Sequence, residues 1–282
     1  MKQDNEVYIL GAESGKEKKN KFNWISVIII ALLLAAIVAI ITFALNREEQ
    51  APEDYFEPEH IAQQSVTVAT ADSIINTDEA PYTDVSEETA NDVSLMVYIP
   101  RNTTMSLMVG MPDSMDSKIV FAAMAADIRK DNMQINGEFV LSGEKLARGT
   151  SKKGYAAIIN NKITIGVGES TPLLQQAIDN KGHFFRQYPL VSDGKLIENK
   201  PKNKSIRRAL AVRNEQVIIV ESKSRESFHD FSQALIDIGV SDAIYLVGGD
   251  SFGWYYNSEH VRQKFGKELP DIPENISYII WQ

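Results

Sequence analysis

The run VIIVESKSRESFHDFSQALIDIGVSDAIYLVGGDS at residues 217–251 contains a strand, a helix and a second strand in succession. Its opening residues are β-branched and apolar, the composition of a buried strand. Phe228, Phe231, Leu235 and Ile238 then recur at helical spacing, with Ser227 placed as a cap and Gly239 as a stop. Asp242–Val247 is again apolar and runs into Gly248-Gly249. Just upstream, Ala209–Val212 and Gln216–Glu221 form a strand pair around Arg213-Asn214-Glu215.

The same texture extends outward in both directions. Val93–Ile99, Met105–Gly110, Ile119–Ala123, Met133–Leu141, Tyr155–Ile159 and Lys162–Val167 are short apolar runs separated by Gly, Asn, Asp and Pro. The last two are joined by Asn160-Asn161, residues that tolerate the positive φ of a two-residue hairpin turn. Thr171-Pro172 is an N-cap followed by proline at the first helical position, so Leu173–Asp179 is predicted to be a short helix. The expected class is α+β, a mixed β-sheet domain with few helices over residues 92–282.

Ahead of this domain, Trp24–Leu45 reads WISVIIIALLLAAIVAIITFAL, long enough to cross a bilayer as one helix. Lys16, Lys18, Lys19 and Lys21 precede it, and Arg47 is followed by Glu48, Glu49, Glu53 and Asp54. That asymmetry places residues 1–23 in the cytoplasm and everything after residue 46 outside, periplasmic or extracellular. The apolar core is too long for a cleaved leader and has no small-x-small exit, so a retained anchor is expected. Residues 46–91 are acidic and lack a sustained period, which predicts a flexible tether, except that Ser65–Thr70 alternates and is a candidate strand of the folded part.

The chain holds 29 Lys+Arg against 38 Asp+Glu, a net charge of −9, and no cysteine. Disulfides, thiol nucleophiles and cysteine-held metals are thereby excluded. The acidic balance argues against nucleic acid as a partner. Counted by segment, the excess is confined to residues 46–91, at −11, whereas residues 92–282 carry +1. An anionic ligand is therefore compatible with the folded part.

Three segments carry a resemblance: FFRQYPLVSDGK at 184–195, IRRALAV at 206–212, and the run at 217–251. Together they resemble the phosphodiester glycosidase domain family, which includes bacterial exopolysaccharide-associated members. Pro189-Leu190-Val191 with Gly194, then Arg207, then Ala243–Leu246 with Gly248-Gly249 fit the family pattern, and Asn136-Gly137-Glu138-Phe139 loosely fits its Asn-Gly-Gly element. The aspartate expected before the two glycines is Val247 here. The resemblance implies a membrane-anchored hydrolase of phosphodiester-linked glycans or, because of Val247, a catalytically degenerate module that binds a glycan or a partner protein.

Cleaving a sugar-1-phosphate diester requires a carboxylate near the oxocarbenium-like transition state and cations for the phosphate. Glu138, Glu221 and Asp250 are the candidate catalytic carboxylates, each equally readable as a strand-end or turn acid. Arg207 and Arg208, in a run with Lys200, Lys202 and Lys204, are candidate phosphate binders. Gly248 and Gly249 would let backbone approach a ligand, and Ser251 is placed to donate to a sugar or phosphate. The four histidines show no metal-ligand spacing, and neither a metal nor a cofactor is expected.

Overall fold

A computed structural model of the chain describes residues 66–70, 79–268 and 273–282. The expected membrane span, Trp24–Leu45, lies outside the described residues; among them, no helix is long and apolar enough to cross a membrane.

The described strands form three sheets. Sheet one runs β1 (Val66–Thr70), β9 (Lys162–Val167), β8 (Gly154–Ile159), β10 (His183–Gln187), β6 (Phe139–Leu141), β7 (Glu144–Ala147). Sheet two runs β12 (Lys195–Leu196), β11 (Pro189–Ser192), β15 (Val240–Leu246), β13 (Arg208–Arg213), β14 (Gln216–Ser222), β3 (Val93–Arg101), β2 (Tyr82–Ala90). Sheet three runs β17 (Arg262–Phe265), β16 (Gly253–Tyr256), β5 (Phe121–Met124), β18 (Ser277–Trp281), β4 (Met105–Val109).

Many strands are apolar on both faces because both are covered. One face of each sheet contributes to a shared core: Leu210, Val212, Ile219 and Leu246 from sheet two, Ile163, Ile165 and Phe185 from sheet one, and Phe121, Ile279 and Trp281 from sheet three. The opposite face of sheet two carries Ala209, Ala211, Ile218 and Val220 against Phe228, Phe231, Ala234 and Leu235 of α2 (Phe228–Asp237). The opposite face of sheet one packs Val140, Tyr155, Ala157 and Phe184 against Ala177 of α1 (Pro172–Asp179).

Both helices begin and end where their sequences place the signals. Thr171 Oγ1 accepts the Leu173 N–H at 3.3 Å, with Pro172 in the first turn. Ser227 Oγ accepts the Asp230 N–H at 3.0 Å, and Gly239 follows the helix at φ +87°. Ser227→Ala is expected to lower unfolding free energy by about 1 kcal/mol, read from a denaturant midpoint at unchanged slope. The hairpin turns Asn160-Asn161 and Asn214-Glu215 both take positive φ at both residues.

Three expectations differ from what is seen. Every pairing in the three sheets is antiparallel, where a mixed sheet was expected. The two helical crossovers, β9 to β10 through α1 and β14 to β15 through α2, each leave one strand between the strands they join (β8 and β13), so no parallel strands become neighbours. Second, β2 falls inside the stretch expected to be a tether, whereas β1 coincides with its alternating stretch Ser65–Thr70, read as a candidate strand of the folded part. β2 is an edge strand whose acids face outward, with Glu87 paired to Lys223 and Glu88 to Arg213, each at 2.8 Å. Third, only Phe139–Leu141 of the expected strand Met133–Leu141 is extended, because Met133 and Gly137 adopt φ of +56° and +98°.

Candidate functional site

Arg207 and Arg208 stand at the start of the central strand β13, and adjacent residues of a strand point to opposite faces. Arg208 therefore shares the face of Leu210 and Val212, toward the shared core, and Arg207 the face of Ala209 and Ala211, toward α2. The expected basic pair is split by the sheet.

Arg208 is 1% exposed. Its Nε donates to Glu221 Oε2 at 2.6 Å, Nη2 pairs with the same carboxylate, and Nη1 donates to the Val247 carbonyl and to Ser251 Oγ, both at 2.8 Å. The guanidinium also lies 4.3 Å from the Phe265 ring centroid. Burial, with the Glu221 carboxylate adding to it and Arg208 opposing, raises the nearby Tyr98 phenol above its ordinary range. Glu221 and Ser251 thus do meet at one point, around a guanidinium already bonded on every side.

Arg207 is equally committed. Its Nε donates to the Glu226 carbonyl at 3.0 Å, Nη2 to the Asn203 carbonyl, and its guanidinium stacks 3.9 Å from the Phe228 ring centroid. It ties the loop before β13 to the helix and has no outward fork for a phosphate. Gly248 is required where the chain leaving β15 crosses the start of β13, since a Cβ there would sit 2.5 Å from the Ile206 carbonyl oxygen. Gly249, at φ +64°, donates its N–H to that same oxygen at 2.8 Å. The glycine pair therefore fits backbone to backbone.

The other two carboxylates lie elsewhere. Glu138 Oε2 accepts from Arg186 Nε at 2.8 Å, and Arg186 also donates to the Gly168 and Glu169 carbonyls while packing over Tyr155 and Phe184. Those rings belong to the α1 side of sheet one, so Glu138 is turned away from Arg208 and serves as an internal clamp. Asp250 is 72% exposed at its side chain and pairs outward with Lys267 at 2.8 Å. Glu138, Arg207 and Asp250 thus engage different partners: Arg186, the Glu226 and Asn203 carbonyls, and Lys267.

A second polar cluster gathers near the end of β15, built from residues outside the expected catalytic and ligand-binding set. Lys152, buried in the loop before β8, pairs with the Asp127 carboxylate, donates to Gln187 Oε1 at 3.1 Å and lies 4.8 Å from the Tyr188 ring centroid. Tyr245 accepts the Gly248 N–H at 3.1 Å. Burial raises the Tyr245 phenol; the Gly248 N–H opposes this, the Asp127 charge adds to it, and Arg207 opposes it again. A buried lysine needs a partner, which explains why Asp127 is held there although its side chain remains 33% exposed. The signal for Lys152 in the sequence was only a Lys-Lys pair before a buried strand, a pattern most often solvated. Among the described residues no group of three potential metal ligands occurs.

Asp127, Lys152, Gln187, Tyr188 and Tyr245 thus gather a carboxylate, an ammonium, an amide and two phenols from separate parts of the chain in an antiparallel β domain. The family model described as phosphodiester glycosidase matches residues 117–277, more than half of the chain, and the chain belongs to that family. Among solved structures it is similar to the zebrafish N-acetylglucosamine-1-phosphodiester alpha-N-acetylglucosaminidase catalytic domain auto-inhibited by its pro-peptide, at 13% identity and a TM-score of 0.52, covering 77% of this chain and 87% of that one. A hypothetical protein from Synechocystis matches at 10% identity and a TM-score of 0.47, over 73% of this chain and 63% of that one. At such identities the likeness concerns the fold. No curated protein matches the sequence.

Proposed function

We propose that the domain recognises a phosphodiester-linked glycan and holds it without cleaving it, from an extracytoplasmic position on a membrane anchor. Family membership supports the ligand class. The observation that carries the reading is the fate of the carboxylates: Glu138 and Glu221 are each engaged by a buried arginine, Asp250 pairs with Lys267 on the surface, and Val247 stands where the family has aspartate. Glycoside hydrolysis needs two carboxyl groups flanking one open point, about 5–10 Å apart. The expected residues do not provide that pair. The apolar run at 24–45 and its lysine-rich leading flank support the anchor.

Methyl N-acetylglucosamine-1-phosphate, a sugar-1-phosphodiester, is a suitable probe. Calorimetry is expected to give saturable binding, and chromatography of the mixture no free sugar, for both the native chain and Val247→Asp. Release of sugar by the native chain would overturn the binding-only reading. Hydrolysis has one structural argument in its favour, the partly exposed Asp127 carboxylate beside a buried lysine. Release that Asp127→Asn abolishes would establish it.

A further inference from the structure

Sulfur in this chain is thioether alone: there are eight methionines and no cysteine. Among the described residues Met115 is the most exposed of them, at 72%, against 39% for Met133, 36% for Met111 and 3% for Met105. Met96, Met108 and Met124 pack against the hydrophobic cores. A thioether is oxidised to the sulfoxide where an oxidant can reach the sulfur, and no prior deprotonation is needed. Exposure therefore ranks Met115 first.

The surroundings of Met115 set it apart further. Its backbone is held in place: Asp113 Oδ1 accepts the Met115 N–H at 2.9 Å, and the Asp113 carbonyl accepts the Asp116 N–H at 3.1 Å. Its sulfur lies 3.3 Å from Nη1 of Arg262, in β17. That nitrogen also donates to the Ser114 carbonyl and to Ser114 Oγ, the latter at 2.9 Å. Nε and Nη2 of the same guanidinium find no acceptor among the described residues. A thioether is a weak acceptor, whereas a sulfoxide oxygen is polar and can take a charge-assisted bond from a guanidinium.

We propose that Met115 is an oxidation site and that Arg262 holds the sulfoxide formed there. With hydrogen peroxide as the oxidant, one oxygen passes to the sulfur, which gives up two electrons. The O–O bond breaks and the remaining oxygen leaves as water. The Arg262 contact occupies one sulfur lone pair and leaves the other open to this transfer. Rotation about the terminal bonds of the unbranched side chain then brings the new oxygen to Nη1 or Nη2. Residues 111–118 thereby gain a bond to β17, the edge strand of sheet three, and reduction of the sulfoxide by a reductase removes it.

Limiting hydrogen peroxide added to the full chain, with the transferred oxygen located by peptide mass spectrometry, tests the site. Met115 is expected to be oxidised before Met111 and Met133, with Met105 last. Amide exchange over residues 111–118 is expected to slow about threefold in the oxidised native chain relative to the reduced one, the scale of one added hydrogen bond. In Arg262→Gln, Met115 should still be oxidised, but exchange in the oxidised and reduced forms should agree. Met115→Leu should show neither effect. Oxygen found first on Met111 or Met133 would overturn the site. Exchange that slows equally in Arg262→Gln, or fails to slow in the native chain, would overturn the part given to Arg262.

Discussion

Arg208→Met is expected to lower the free energy of unfolding by about 3–5 kcal/mol, the usual loss when one partner of a buried ion pair is removed. The guanidinium makes bonds to Glu221, Val247 and Ser251, so the variant leaves the carboxylate without its cation, and the Val247 carbonyl with only the Ser251 hydroxyl, in a site that is nearly closed to water. The double variant Arg208→Met, Glu221→Leu is expected to recover most of that loss, because an apolar pair of similar volume carries no desolvation penalty. Urea denaturation of the single and double variants makes the comparison. A single variant as stable as the native chain would show that Arg208 is not the internal tie described above and would return it to the list of ligand-binding residues.

The second large effect is at Arg186. Its replacement by methionine is expected to be about as damaging, roughly 3–5 kcal/mol, since it leaves Glu138 with only Lys145 at 3.2 Å and releases the carbonyls of Lys152, Gly168 and Glu169. Glu138→Gln keeps the shape and one acceptor, and about 1–3 kcal/mol is expected there. Affinity for the sugar-phosphodiester probe should be unchanged in Glu138→Gln, because the carboxylate faces the α1 side of sheet one. Calorimetry and denaturation on the same sample separate the two roles. Loss of binding at native stability would identify Glu138 as a ligand contact instead.

Local signals in this chain were readable wherever the cause was itself local. Thr171-Pro172, Ser227 with Gly239, and Asn160-Asn161 act on their own backbone within a few residues, and each performs its expected part. The acid-rich segment before residue 92 was harder, because composition averages over a stretch in which β2 is stabilised by partners far along the chain, Arg213 and Lys223. The partners of the candidate site residues were hidden for the same reason. Glu138 finds Arg186 at a separation of 48 residues, and Lys152 meets Gln187 at 35, neither of which any spacing rule reports. The division of Arg207 from Arg208 was the exception. Strand alternation alone separates neighbouring residues once Arg208 is placed at the start of β13, so reading both as one basic patch set a compositional cluster above the geometry of the strand.

That division also has a dynamic consequence. β13 is hydrogen-bonded to β14 on one side and β15 on the other, and its first turn of chain is fastened to both layers at once, through Arg208 toward the shared core and through Arg207 toward α2. Opening this end of the strand requires both layers to separate together, so small local fluctuations are denied to it.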